Sequence, residues 1–126
     1  PEDLVFFVDR SLGKRYVAEA LRQEGVSVEV HEDHFPADAS DVDWLPEVGR
    51  RRWVVLMKDK AIRRNAVERD ALLAAGVRSF VLTAGNLKSS EMVELFVRHL
   101  SRIVQMAIDD PGPFIAGVTR TEVRKY

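Results

Sequence analysis

The chain has 126 residues, 46% of them apolar, with 19 basic and 20 acidic side chains and a net charge of −1. A chain of this size is expected to form one domain, residues 1–126, with a core that needs no staples. Its balanced charge leaves any nucleic-acid contact to local clusters. The absence of cysteine excludes disulfides, thiolate metal sites and cysteine nucleophiles.

In chain order, Leu4 to Val8 is a continuous apolar run, the pattern of a strand buried on both faces. Tyr16, Val17, Ala20 and Leu21 recur at helical spacing between Leu12 and Glu24, and Gly25 is a natural stop. Val26 to Val30 alternates as an edge strand does, and a polar loop containing Pro36 follows. Ser40 or Asp41 suits the N-cap of a short helix that Gly49 closes. Trp53 to Met57 predicts a second fully buried strand, and Ile62 to Ala75 a helix with Val67, Leu72 and Leu73 facing inward. Val77 to Leu82 predicts another strand, and one long amphipathic helix from Ser89 or Ser90 carries Met92, Leu95, Phe96, Leu100, Ile103, Val104 and Ala107. After the breaker Asp109-Asp110-Pro111-Gly112-Pro113, Phe114 to Val118 suits a last short strand, with a polar and basic tail from Thr119 to Tyr126.

Strands and helices alternate with short connections, which predicts an α/β three-layer sandwich around a mainly parallel sheet of four or five strands. No run approaches the ~18 apolar residues that cross a bilayer. No signal-peptide pattern is visible, so a cytoplasmic location without membrane contact is expected.

In open parallel sheets ligands bind beyond the carboxyl ends of the strands. The residues there are Asp9-Arg10-Ser11, His31-Glu32-Asp33-His34, Lys58-Asp59-Lys60 and Thr83-Ala84-Gly85-Asn86, with Asp41 able to reach the same rim. Carboxylates converging on one rim repel each other unless a cation lies among them. An oxygen-rich set of that kind suits Mg2+ or Mn2+. No phosphate loop, dinucleotide fingerprint or G-x-S-x-G elbow is present. His31 and His34 flank a loop beside Pro36 and make a weak zinc pattern.

Asp9 after the first buried strand, Asp41 before a short helix and Asp59 after the next buried strand form an ordered set. With the stretch S-D-V-D-W-L-P-E-V-G-R-R-R-W-V-V-L-M-K-D-K-A-I-R, it resembles the PIN-like domains, in particular the short variants related to VapC-type toxin ribonucleases of toxin–antitoxin systems. The likeness runs from Leu4 to about Val118. It implies a metal-dependent endoribonuclease acting as the toxin of a bacterial type II pair, with an RNA substrate, a cognate antitoxin protein and a homodimer as partners. It implies Asp9 and Asp59 as metal ligands, with Asp41 as the third acid or Asp43 in its place. Asp9, Asp41 and Asp59 are then the catalytic acids. Arg10, Lys58, Lys60 and Arg63 would hold substrate phosphates, with Lys14 and Arg64 nearby.

The acid set is smaller than in longer relatives. Lys60 stands just after the third-strand aspartate, where they often have another acid, and Asn86 or Glu91 stands near a later one. The alternative is therefore a PIN-like domain that binds RNA or a protein partner without cleaving. Asp is also common after strands and at helix starts because it satisfies turn and cap donors, which competes most with a metal role for Asp41. Arg50-Arg51-Arg52 complements a helix end, Trp44 and Trp53 read as core or anchoring aromatics, and His99 lies on or beside the long helix's apolar stripe.

Overall fold

The computed structural model describes residues 3–126. Its elements are β1 (Val5–Val8), α1 (Tyr16–Gln23), β2 (Ser27–Val30), α2 (Asp41–Arg50), β3 (Val54–Lys58), α3 (Ala66–Ala74), β4 (Arg78–Leu82), α4 (Ser89–Arg98), α5 (Leu100–Asp109), β5 (Phe114–Val118) and β6 (Val123–Lys125). Short 3-10 turns at Arg10–Leu12, His31–Asp33 and Ile62–Arg64 come after β1, β2 and β3. No helix among the described residues is long and apolar enough to cross a membrane.

The six strands lie in the order β2-β1-β3-β4-β5-β6. The first five are mutually parallel, and β6 pairs antiparallel with β5 through Ala116–Lys125, Gly117–Arg124 and Val118–Val123. The polar, basic tail thus contributes a strand of its own. Its polarity reflects an edge position, where Arg124 and Lys125 stay exposed and Val123 is buried.

Alternation along the strands assigns every buried side chain to one of two layers. Phe6, Val8, Val54, Leu56, Phe80, Leu82, Phe114 and Val118 join α1, α4 and α5 in one core. Phe7, Val55, Met57, Val81 and Ile115 face the other way, against Trp44, Leu45 and Val48 of α2 and Leu72 of α3. Continuous apolar runs are therefore required, because both faces of the sheet are covered.

Two helical expectations are corrected. Val67 is 82% exposed and Leu73 42% exposed, whereas Leu72 is buried. The segment is not one helix: the 3-10 turn ends at Arg64, and Asn65 caps a new helix by accepting a hydrogen bond from the Glu68 N–H at 3.0 Å. The long second helix is also two, broken at His99, whose Nε2 meets the Thr119 carbonyl at 2.9 Å.

Gly49 sits inside α2, where a Cβ would stand 2.1 Å from the Ala75 carbonyl oxygen. Glycine there lets α2 approach the end of α3 closely. At their other ends Asp41 and Glu68 meet, so the two helices run side by side in the same direction.

Candidate active site

The strand order reverses at the β1–β3 boundary: the chain goes from β1 outward to β2, then crosses back to β3 on the other side. Ligands bind at such a switch point, beyond the carboxyl ends of the two strands. Asp9 comes directly after β1, and Asp59 directly after β3. Both continue the alternation that points Phe7, Val55 and Met57 toward α2 and α3, so both carboxylates belong to that layer.

Each aspartate is held by the turn it begins. Asp9 is buried, and its Oδ2 accepts from the Ser11 N–H at 3.1 Å. Asp59 accepts from the Ala61 N–H at 2.9 Å, and its own N–H extends the ladder to the Leu82 carbonyl. Ser11 joins the two turns, because its Oγ accepts from the Lys58 N–H at 3.0 Å. Arg10 donates through Nη1 to the carbonyls of Ala37 at 2.7 Å and Ala39 at 2.8 Å. The residue next to Asp9 thereby ties down the loop that delivers Asp41.

Asp41 opens α2 on the face shared by Trp44, Leu45 and Val48, and it accepts from the Trp44 indole N–H at 3.1 Å. Asp43 lies elsewhere on the helix, exposed and hydrogen-bonded to the Ser40 hydroxyl at 3.1 Å. Of the two, the fold brings Asp41 toward the other acids.

A fourth acid joins them that the sequence pattern did not single out. Glu68, in the first turn of α3, hydrogen-bonds Asp41 and feels the charges of Asp41, Asp59 and Asp9. Burial first, then these like charges, push its carboxyl up to about 7. A helix N-terminus ordinarily favours ionised acids, so burial and repulsion outweigh the dipole here. The signal was present in the sequence: Glu68 precedes Ala71, Leu72 and Ala75 by three, four and seven residues, the spacing of one helix face.

His31 closes the floor between Asp9 and Asp41. Its ring packs among Phe7, Phe35 and Trp44. Burial lowers its pKa and favours the neutral imidazole, and it outweighs the raising effect of Asp9. The rest of its loop turns outward: Glu32 lies 3.9 Å from the Lys14 ammonium, and His34 bonds Glu29 at 2.7 Å. Glu91 accepts from the Lys88 N–H at 2.8 Å and serves as a helix cap. Asn86 is exposed in the left-handed region at φ 58°.

Among the cations, Lys58 is half-buried, and Lys60 lays its stem against Gly85. Arg63 is exposed, with its guanidinium over the Tyr126 ring. None of the four acids forms an ion pair among the described residues. A cleft of about 460 Å³ between α2 and α3 reaches Asp41 at the rim.

Hard carboxylate oxygens brought toward one switch point fit a small divalent ion such as Mg2+ or Mn2+. Among the described residues, no three His, Asp or Glu side chains already stand as a finished coordination set.

Residues 4–84 match the family described as "PIN like domain", a span that contains Asp9, Asp41, Asp59 and Glu68. The chain is 32% identical over 121 residues to "Putative ribonuclease VapC45" of Mycobacterium tuberculosis (strain ATCC 25618 / H37Rv), covering 93% of this chain and 87% of that protein. No solved structure matches it.

Proposed function

Because the chain belongs to the PIN-like domain family, we propose that it is a divalent-metal-dependent endoribonuclease, the toxin of a bacterial toxin–antitoxin pair. The observation that carries this reading is the approach of Asp9, Asp41, Asp59 and Glu68 at one strand switch point, where none of them forms an ion pair among the described residues. The relative's name adds ribonuclease as the activity.

Asp9, Asp59 and Asp41 would hold Mg2+ or Mn2+, with Glu68 as a fourth oxygen donor. When bound, the ion supplies an acidified water and neutralises charge on the phosphate under attack. The chain's own groups do the rest. The Ser11 and Ala61 N–H groups orient Asp9 and Asp59, leaving each carboxylate a second oxygen for the site. Glu68, hydrogen-bonded to Asp41 and pushed up to about 7, holds a proton at that contact. Lys58, Lys60 and Arg63 contact the RNA backbone and give affinity without sequence choice. Arg10 acts chiefly through the Asp41 loop, with its remaining N–H donors open to phosphate. The partner is a small antitoxin that covers the acid rim.

Asp9→Asn and Asp59→Asn should each lower manganese-dependent cleavage of single-stranded RNA at least roughly 100-fold, with circular dichroism unchanged. Full activity in either variant would sink the assignment. The finding that no three acids are pre-assembled favours a second reading, a PIN-like domain that binds RNA or protein without cutting. Calorimetry separates the two: the nuclease gives a heat of Mn2+ binding that Asp59→Asn removes, and the binding module gives none.

A further inference from the structure

We infer that Arg63 and Tyr126 together form a stacking platform for one base of a single-stranded RNA laid across the acid rim. The inference rests on the ribonuclease reading for its ligand and adds a base-binding element to it.

Three observations carry the inference. The first is a fixed stack. The Arg63 guanidinium lies over the Tyr126 ring, 5.1 Å from its centroid. Both members are held from behind. The Tyr126 N–H donates to the Ile115 carbonyl at 2.9 Å, continuing the β5–β6 pairing. The carbonyls of Ile62 and Arg63 both accept from the Arg69 side chain.

The second is a shaped seat. The hydroxyl end of the tyrosine ring lies over Gly117 of β5: a Cβ there would lie 2.5 Å from the Tyr126 hydroxyl and 2.9 Å from Cζ. The missing side chain lets the ring lie against the sheet. Yet Tyr126 remains 45% exposed, and Arg63 is exposed too.

The third is location. Gly117 pairs with Val81, and Val81 pairs with Met57, two residues before Asp59. Met57, Val81 and Ile115 all face the α2–α3 layer, so the seat is on the acids' side of the sheet. Two strand spacings separate β5 from β3, about 10 Å. Arg63 itself is four residues from Asp59, at most about 14 Å along the chain. A planar cation backed by an aromatic ring at that range matches how single-stranded RNA is gripped. Its unpaired bases stack on aromatic rings and arginine planes, while the backbone tracks cations such as Lys58 and Lys60.

The test is fluorescence anisotropy with a labelled single-stranded oligoribonucleotide in chelator, where no cleavage intervenes. Tyr126→Leu and Arg63→Ala should each weaken binding roughly 5- to 100-fold. Tyr126→Phe should bind as the parent does, because the face and not the hydroxyl is used. Gly117→Ala, which evicts the ring, should behave like Tyr126→Leu. Moving a single abasic nucleotide along the oligonucleotide should find one position at which parent and Tyr126→Leu bind equally. A merely structural tyrosine would show no such position.

Unchanged RNA binding by folded Tyr126→Leu overturns the platform and leaves the nuclease reading standing. So does a change confined to self-association or to binding of a protein partner. Tyr126-dependent binding without any manganese-dependent cleavage leaves the platform and sinks the nuclease. No RNA binding by the parent overturns both.

Discussion

On one face of the sheet, α1, α4 and α5 close over Phe6, Val8, Val54, Leu56, Phe80 and Leu82 in an apolar layer that reaches both ends of the strands. On the other, α2 and α3 cover Phe7, Val55, Met57 and Val81, and at the carboxyl edge Glu68 meets Asp41 and feels the charges of Asp59 and Asp9. The same strands build both layers. The difference lies in what each layer has to tolerate. The first contains no converging acids and can be packed for stability alone. The second holds like charges at its rim, which disfavour the compact state and must be offset by packing elsewhere.

The comparison breaks most readily through Phe96, fully buried in the acid-free layer. Phe96→Ala should cost about 3–5 kcal/mol in urea unfolding, while the protein that remains folded keeps its acids in place. A loss below about 1 kcal/mol would show that this layer is not the stabilising one.

A smaller effect should come from the acid rim, with the opposite sense. The Glu68 carboxyl rises from 4.5 to about 7 on folding, so between those values the folded chain holds a proton that the unfolded chain releases. Its contribution to stability is complete below pH 4.5 and is lost as pH rises through 7. Glu68→Gln should therefore flatten the fall in stability between about pH 5 and 8. The difference is at most about 3 kcal/mol, and less after solvent screening of a half-buried group. Thermal melts of the two proteins across that range check it. In the proposed nuclease, Mn2+ should flatten the wild-type curve likewise, because the cation takes the proton's place. An identical pH profile in Glu68→Gln would remove Glu68 from the cluster.

The smallest effect is expected at Val67, one residue from Glu68 and pointing the other way. Val67→Lys should change stability by less than about 0.5 kcal/mol, whereas an inward valine would cost several times more. Chemical denaturation distinguishes the two.

Asp9 and Asp59 are legible because apolar runs announce buried strands, and a parallel sheet presents the residues after such runs at its ligand-binding edge. Asp41 is legible as a position, and the helix phase set by Trp44, Leu45 and Val48 separates it from Asp43. Glu68 is hidden when Ile62 to Ala75 is taken as one helix with Val67 inside. The 3-10 turn and the Asn65 cap restart the helix at Ala66, and a 3-10 turn advances the phase differently from an α-helix. In the tail, a polar and basic composition conceals an edge strand.

Residue pattern alone determined the alternation of strands and helices, the two-sided burial of the central strands and the acids at two strand ends. These arise from local periodicity and turn chemistry, which act within a few residues. Tertiary structure decided that β1 lies beside β3, that α2 and α3 share one face, that Glu68 meets Asp41 and that Tyr126 finds Gly117. Those outcomes depend on strand pairing and helix contact between residues far apart in the chain, and no periodicity encodes a partner at that range.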